Sequence, residues 1–553
     1  MPSQTPFWWS PRRLNFRHQF THDWRAMKTT LGTYMLAAGC GVLLALAFPT
    51  WHWYPLAWVA LIPLFYFGAT RKPFDAARLF FVSGWVFYSV LLQWLMSNIY
   101  WAGGWAIWGY QLLCMFMALY WGLFGLLWTW MHQRAPKWAG ALAAAALWAG
   151  MEYLQATLFT GFGWGCLAHS QGTNEPLIQW ASLGGAACVS AIIVLFNALV
   201  GLIFAEQRLR VVRIGAAVGV IAIAHGVGSM LVQPADYDSM PLRVGLVQAD
   251  FPLEMKWDPE YTAEMVRNSA DKSRRLAQHE QVDLFVWPES LVMAPLDAQP
   301  ELLNLVGGLC RESNSALFTG SERANASTEG IWNSSFLLDA SGAIVDHYDK
   351  VHLAPFGEYV PMKRYIPFVG RIVPAIGDIE PGEQLKVLRT GNRCFGPLIC
   401  FEVLFGDIAE KLRAQGADFL VVITNLGWFG VSNAIPQELE IARVRAIETR
   451  LPVVHCANSG ISGVFDPWGR FCVVNATFDA QGRYVPFRVA DPNRIIMNRC
   501  VGALPVAAPG PRLLPGGPRI FPWAAGALSL VMVLVSLAYP QAPARDQRVF
   551  VNR

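Results

Sequence analysis

Charge is scarce in this chain. Of 553 residues only 15% are Asp, Glu, Lys or Arg, while 54% are hydrophobic. Soluble domains carry about 25% charged residues, so a large part of this sequence has to face something other than water. No dense Lys/Arg block lies beside a row of stacking aromatics, which excludes a nucleic-acid groove, and a net charge of +4 names no partner. The ten cysteines run thinly from Cys40 to Cys500, with no Cys-x-x-Cys pair and no Cys/His cluster at zinc spacing. That pattern excludes a disulfide scaffold and a zinc site; neither a metal nor another cofactor is expected.

Long apolar runs are abundant. After a basic N-terminal stretch (Arg12, Arg13, Arg17, Arg25, Lys28) they occupy residues 30–49, 54–70, 76–98, 105–130, 138–157, 180–205 and 212–233, and one more runs from Phe521 to Tyr539. Each is near the ~20 residues a bilayer requires, the second being the shortest. A cleaved leader is disfavoured, because the basic stretch is long and further runs follow at once. Lys and Arg are missing from the gaps 50–53, 99–104 and 158–179, but present in the others as Arg71, Lys72 and Arg78, as Arg134 and Lys137, and as Arg208, Arg210 and Arg213. The positive-inside rule then places the N-terminus in the cytoplasm. Seven spans put residues 234–519 outside, and an eighth returns the tail with Arg545, Arg548 and Arg553. The gap at 158–179 contains Phe159-Thr160-Gly161-Phe162-Gly163-Trp164-Gly165, a composition suited to an interfacial, partly re-entrant segment.

From Leu242 the pattern changes to short β-type runs alternating with helical ones. Strands are expected at Leu242–Gln248, Val282–Trp287, Ala316–Gly320, 332–338, 343–350, Cys394–Cys400, Phe419–Thr424, Val453–Ala457 and Ser462–Phe465. Helices are expected at 260–279, 299–312, 404–414 and 436–450. Alternation of this kind predicts a layered α/β domain. The expected division is a membrane part over 1–233, an outer domain over 234–519, and a last span with its tail over 520–553.

Three strand ends carry chemistry. Leu398-Ile399-Cys400-Phe401-Glu402 ends an apolar strand in a cysteine, Phe285-Val286-Trp287-Pro288-Glu289-Ser290 ends another in a glutamate, and Asp349-Lys350-Val351-His352-Leu353-Ala354-Pro355-Phe356-Gly357-Glu358 adds a lysine and a second glutamate. A thiol needs a base to become a nucleophile, and acyl transfer needs a cation or N–H donors where the oxyanion forms. Alone, Cys400 reads as a buried core thiol, Glu289 as a helix cap and Lys350 as a solvated strand end.

Together, and in this order, these segments resemble the nitrilase superfamily. With Asn458-Ser459-Gly460-Ile461-Ser462-Gly463-Val464-Phe465-Asp466-Pro467-Trp468-Gly469-Arg470 they resemble its membrane-bound branch, the apolipoprotein N-acyltransferases, over most of the chain. The resemblance implies a polytopic α-helical membrane domain of about eight transmembrane helices and an extracytoplasmic nitrilase-like α-β-β-α sandwich. It implies Cys400 as nucleophile, Glu289 as base and Lys350 as oxyanion partner. Glu358 would hydrogen-bond or relay a proton at Lys350 or the nucleophile, and Glu402 would shape the neighbouring network. Trp257, Phe401, Trp428 and Phe429 would line the lipid site, under lids at Phe356–Gly377 and Trp428–Pro436. The implied reaction is a ping-pong transfer from a membrane phospholipid to a diacylated apolipoprotein, by a monomer in the bacterial inner membrane with both termini cytoplasmic and the catalytic domain periplasmic. Three positions depart from the family's usual residues: Leu426 stands for Asp, Phe401 for Tyr and Glu438 for His. A membrane-anchored amidase acting on small amides is the rival reading, and a catalytically idle lipid-binding homologue a third.

Overall fold

A computed structural model describes residues 16–98, 103–256, 258–325, 327–328, 330–360, 379–474, 476–479, 481, 483–486 and 500–538. The apolar part forms helices α1 (Phe16–Ala45), α2 (Ile62–Thr70), α3 (Pro73–Leu91), α4 (Trp105–Arg134), α5 (Gly140–Thr157), α6 (Ala181–Ala205) and α7 (Arg210–Leu231). Two expected spans are broken. The run at 54–70 divides into a 3₁₀ turn at Tyr54–Trp58 and α2, each entered at a proline. The run at 76–98 ends as a helix at Leu91 and continues as a 3₁₀ turn, Gln93–Asn98. Proline lacks the N–H that a continuous helix needs, so it favours a fresh start at the first turn. Among the described residues five helices are long and apolar enough to cross a membrane, including Gly517–Leu537 near the C-terminus. Rings of Phe65, Phe80, Phe124 and Trp128 pack edge-on at the centre of α2, α3 and α4.

The remainder is layered. Helices α8 (Pro259–His279), α9 (Pro300–Ser313), α10 (Gly406–Ala414), α11 (Ala434–Thr449) and α12 (Gly517–Ala538) complete the set. The strands are β1 (Arg243–Gln248), β2 (Leu284–Val286), β3 (Val292–Pro295), β4 (Ala316–Ala324), β5 (Ile331–Leu338), β6 (Ile344–Asp349), β7 (Leu388–Thr390), β8 (Arg393–Ile399), β9 (Phe419–Thr424), β10 (Val453–Ala457), β11 (Gly463–Phe465), β12 (Phe471–Val473), β13 (Ala476–Phe478), β14 (Tyr484–Pro486) and β15 (Cys500–Pro505). Among the described residues one sheet runs β14-β13-β15-β1-β2-β4-β5-β6, with β3 against β4, and the other runs β12-β11-β10-β9-β8-β7. Strand alternation decides the layers. On the first sheet Leu246, Leu284, Val286 and Phe318 face the second sheet, while Phe285, Leu317 and Phe336 face α8 and α9. Between the sheets, Phe318 meets Phe395 edge-on and Ser462 Oγ donates to Gln248 Oε1. Helices α10 and α11 cover the second sheet, so the order is helices, sheet, sheet, helices.

Helix α11 has almost no exposed face, because the second sheet lies on one side and the apolar bundle on the other. Some of its polar side chains therefore pair with the bundle. Gln437 Oε1 accepts from the indole N–H groups of Trp164 at 2.6 Å and Trp94 at 3.3 Å, and its amide donates to the carbonyls of Pro49 and Leu91. Just past the helix, Arg450 donates to Gln179 Oε1 and Ser182 Oγ. Helix α6 kinks at Gly184 and Gly185, and the amide N–H of Ala186 donates to Glu448 Oε1 at 2.7 Å. Gly185 has φ 70° and ψ −176°, a region open essentially to glycine alone. Gly185→Ala is expected to strain the kink by about 1–2 kcal/mol, read as a lower thermal midpoint of the detergent-solubilised protein; a midpoint at or above the parent's would refute this account of the kink.

Candidate functional site

Parallel pairing sets the site. Strand β2 runs parallel to β1 and β4, and β8 runs parallel to β9, so Glu289 and Cys400 both lie just past strand C-terminal ends. Such ends are where open α/β sheets leave room for a ligand. The backbone leaves both strands under strain. Cys400 itself has φ 52°, and Ser290, next to Glu289, has φ 50°. A left-handed conformation is unusual for residues with a Cβ, and at Cys400 it turns the chain into the 3₁₀ turn Cys400–Leu404. Gly320 on β4 passes so close to the Glu289 turn that a Cβ there would lie 2.7 Å from Glu289 Cα and 2.6 Å from Ser290 N.

Glu402 closes that turn. Its Oε2 accepts from Ile399 N at 2.8 Å, while its Oε1 accepts from Tyr348 O–H at 2.8 Å, Val351 N at 2.9 Å and His352 N at 3.1 Å. One carboxylate thus ties the end of β8, which carries Cys400, to the end of β6, which leads into Lys350. Lys350 is 1% exposed. Its Nζ lies 2.9 Å from Glu358 Oε2 and 3.6 Å from Glu289 Oε1. Asn333 Nδ2 donates to Glu289 Oε1 at 2.9 Å and to Glu358 Oε1 at 2.8 Å, and Ala354 N donates to Glu358 Oε2 at 2.7 Å. Behind Glu289, buried Lys256 donates from Nζ to the Glu289 carbonyl at 3.0 Å.

The electrostatics follow from burial and from these pairings. Burial pushes Glu289 up, with Lys350 opposing and Glu358 assisting; the balance leaves it above the usual carboxylate range. Burial alone would lower Lys350, but Glu358 and Glu289 outweigh it and keep the ammonium charged. Burial and Glu289 raise the Cys400 thiol against the pull of Lys350, so its resting form is S–H. Burial takes Lys256 down to about 8. The arrangement thus holds a protonated thiol, a carboxylate with raised proton affinity and a fixed cation, the parts required for base-assisted attack on an acyl group.

The structure brings Glu289, Lys350 and Glu358 into one hydrogen-bonded cluster and puts Cys400 within its electrostatic reach. Phe401 is half-buried against Phe162 and Phe405, at centroid distances of 6.4 and 5.4 Å. Phe429 packs edge-on against Trp94 at 4.5 Å, and its carbonyl accepts from Ser97 Oγ. Trp428 is half-buried in the same 3₁₀ turn, Leu426–Phe429. Trp257 lies outside the described residues, as do residues 361–378, most of the expected lid at Phe356–Gly377. The glycine-aromatic segment at 159–165 is a domain contact as well as a surface one. Phe159 is 80% exposed, yet Thr160 O accepts from His352 Nε2 and Trp164 is buried. Sequence reasoning missed Asn333 and Lys256. Asn333 sits in an ordinary alternating strand and carried no signal. Lys256 stood beside Trp257 and was overlooked for it.

Residues 40–199 match the apolipoprotein N-acyltransferase N-terminal domain, and residues 243–485 match the carbon-nitrogen hydrolase domain. The two facing sheets thus belong to a carbon-nitrogen hydrolase domain, which follows a run of apolar helices here. A protein of Geobacter metallireducens named apolipoprotein N-acyltransferase is 34% identical over 448 residues, covering 79% of this chain and 85% of its own. One of Chlorobaculum tepidum with the same name is 28% identical over 517 residues, covering 85% of this chain and 94% of its own. The chain belongs to the apolipoprotein N-acyltransferase family.

Glu402→Ala is expected to leave up to four donors without their acceptor, at about 1–3 kcal/mol for each that stays buried. Thermal unfolding in detergent reads this as a clear fall in midpoint. Glu402→Gln keeps one carbonyl acceptor and should fall between the two; equal midpoints for all three proteins would show that the clamp does not matter.

Proposed function

We propose that this protein N-acylates apolipoproteins by a ping-pong reaction at Cys400, in the membrane that holds its apolar helices. The reading rests chiefly on the buried Glu289–Lys350–Glu358 cluster at strand ends, beside which His352 and Phe401 meet Thr160 and Phe162 of the apolar part. Glu289 takes the Cys400 proton as sulfur attacks the ester carbonyl of a phospholipid. The tetrahedral oxyanion draws on Lys350. Collapse of that intermediate breaks the C–O bond; Glu289 returns its proton to the departing oxygen, releasing lysophospholipid and leaving a thioester. The α-amine of the N-terminal diacylglyceryl-cysteine then attacks the thioester, Glu289 accepts the amine proton, and the amide forms as the thiol is regenerated. Both substrates are anchored in one leaflet, which raises their encounter frequency as tethering does.

The finer parts of the reading are these. About seven spans over 1–233 and one after residue 519 cross a bacterial inner membrane, with both termini cytoplasmic and 234–519 periplasmic, as the Lys/Arg asymmetry of the loops supports. Phe401, Trp428, Phe429 and Trp257 line the acyl path, in keeping with the half-buried rings that meet Phe162 and Trp94. The Phe356–Gly377 and Trp428–Pro436 segments act as lids. The active form is a monomer.

Intact mass after incubation with phospholipid, wild type beside Cys400→Ala, tests the first half-reaction. An added acyl mass that hydroxylamine removes, absent from the variant, is expected. No adduct together with no lysophospholipid would mean an idle homologue, whereas hydrolysis of small amides without lipid would mean an amidase. The rate of adduct formation should rise with pH through a midpoint above the ordinary carboxylate range, because Glu289 acts deprotonated and burial raises it. Glu289→Gln should slow the step by about 10²–10⁴-fold and remove that limb; an unchanged limb would assign the base elsewhere. Lys350→Met should slow adduct formation by about 10²-fold or more, and a rate within tenfold of wild type would exclude it from the oxyanion site.

A further inference from the structure

A second buried ammonium touches the base, and the reaction as written gives it no part. Lys256 ends the short helix Leu253–Lys256, between β1 and α8, and is 2% exposed. Among the described residues it has one hydrogen-bond partner, the carbonyl of Glu289 at 3.0 Å, and no ion pair. The turn it holds is the strained one, where Ser290 has φ 50° and Gly320 is pressed against Glu289. Tying down a carbonyl needs only a neutral donor, and a buried cation costs far more than a buried amide. The charge itself therefore needs an account.

The balance of the cluster supplies one. Glu289 and Glu358 set two carboxylates against one ammonium, that of Lys350. Glu358 holds that ammonium at 2.9 Å while Glu289 stands off at 3.6 Å, so Glu289 is the less compensated of the two. Lys256 brings a second ammonium to the Glu289 residue itself. Burial takes Lys256 down to about 8, so it is charged at neutral pH, and its charge opposes the burial that raises Glu289. The other groups that bear on Glu289 are Lys350 at the end of β6, Glu358 in the loop beyond it and Asn333 on β5, with Cys400 at the end of β8. Glu402 is turned to its four donors. Beside Lys256 on the chain, Glu254 is exposed and Asp258 caps α8.

We propose that Lys256 is a positioning residue for the base: its ammonium, fixed to the Glu289 carbonyl, holds the strained Glu289–Ser290 turn and keeps the Glu289 carboxylate ionised in the resting site. A neutral Glu289 could not take the Cys400 proton, so Lys256 sets how far toward acid pH the base still works. Lys350 cannot fill that role alone, because Glu358 shares it. The inference rests on Glu289 being the base for Cys400, which Glu289→Gln tests on its own.

The test is the pH dependence of Cys400 alkylation by iodoacetamide in the full-length detergent-solubilised protein, followed at the Cys400 peptide by mass spectrometry so that other cysteines do not contribute. Glu289→Gln first marks the rising limb that belongs to the base. In Lys256→Met, which keeps the apolar stem and drops the charge, that limb should move up by about one pH unit, a roughly tenfold lower rate on its acid side. Lys256→Gln keeps a donor for the carbonyl without the charge and should move the limb as far. Lys256→Arg keeps the charge and should hold the wild-type midpoint. A limb unmoved in the Met and Gln variants overturns the proposal, because Lys256 would then only hold the turn. An Arg midpoint that shifts with the neutral variants does the same. A limb that survives Glu289→Gln removes the base from the functional reading and this proposal with it, so the two failures are told apart. Exchanging a buried charge for an apolar side chain of similar volume is often neutral or stabilising; should the Met variant still fail to fold, Gln and Arg decide.

Discussion

A single buried ammonium organises the candidate site. Lys350 has lost its water, and a charge so placed is tolerable only with close partners and good geometry. Glu289 and Glu358 supply the charge, and Asn333 spaces the two carboxylates by donating to both. Each of these residues comes from a different strand or loop, so the demand to neutralise one cation fixes the ends of β2, β5 and β6 and the loop that follows. The strain at Cys400 and Ser290 sits where this constraint is strongest. A left-handed residue costs of order 1–3 kcal/mol and persists only where its surroundings determine it; here Glu402 and Gly320 do so.

Much of this was legible beforehand, for identifiable reasons. Apolar strands ending in Glu289 and Cys400 have short local signals, and each core strand expected after Leu242 is present. The strands that escaped notice, β3, β7 and β12 to β14, are short or lie at sheet edges, where fewer residues alternate; β15, six residues long and paired with β1, carries Gly502 and Pro505 in place of a β-branched run. The eight apolar runs resolved less cleanly. Prolines divided the second, and α5, where Glu152 and Gln155 interrupt the alanines, falls outside the helices long and apolar enough to cross a membrane. Asn333 and Lys256 were invisible for a different reason. Their importance comes from long-range pairing, and a polar residue at a strand end looks the same whether or not a cation waits for it.

Helix α11 shows how composition can mislead. Between its apolar residues it carries Gln437, Glu438, Glu440, Arg443, Arg445 and Glu448, which by pattern would place one face in water. The structure buries it almost entirely, because its polar groups find partners in two directions: Glu438 toward Thr424, Gln437 and Glu448 toward the bundle. Glu438 is thus held by a hydrogen bond from Thr424, whereas Leu426 fills a buried position at the start of its 3₁₀ turn.

The doubly committed helix has a bearing on how the molecule can be assembled and dissected. Gln437, Glu448 and Arg450 bind backbone and side-chain groups contributed by segments as far apart in sequence as Pro49 and Gln179. Cut away from the N-terminal helices, the hydrolase half would expose to water the rings that meet Trp94 and Phe162, an apolar patch with no cover. The enzymatic half is consequently no freestanding module on a tether. Its last layer, α11, is completed only by contact with the apolar helices, so the candidate site and the helical part are built as one structure.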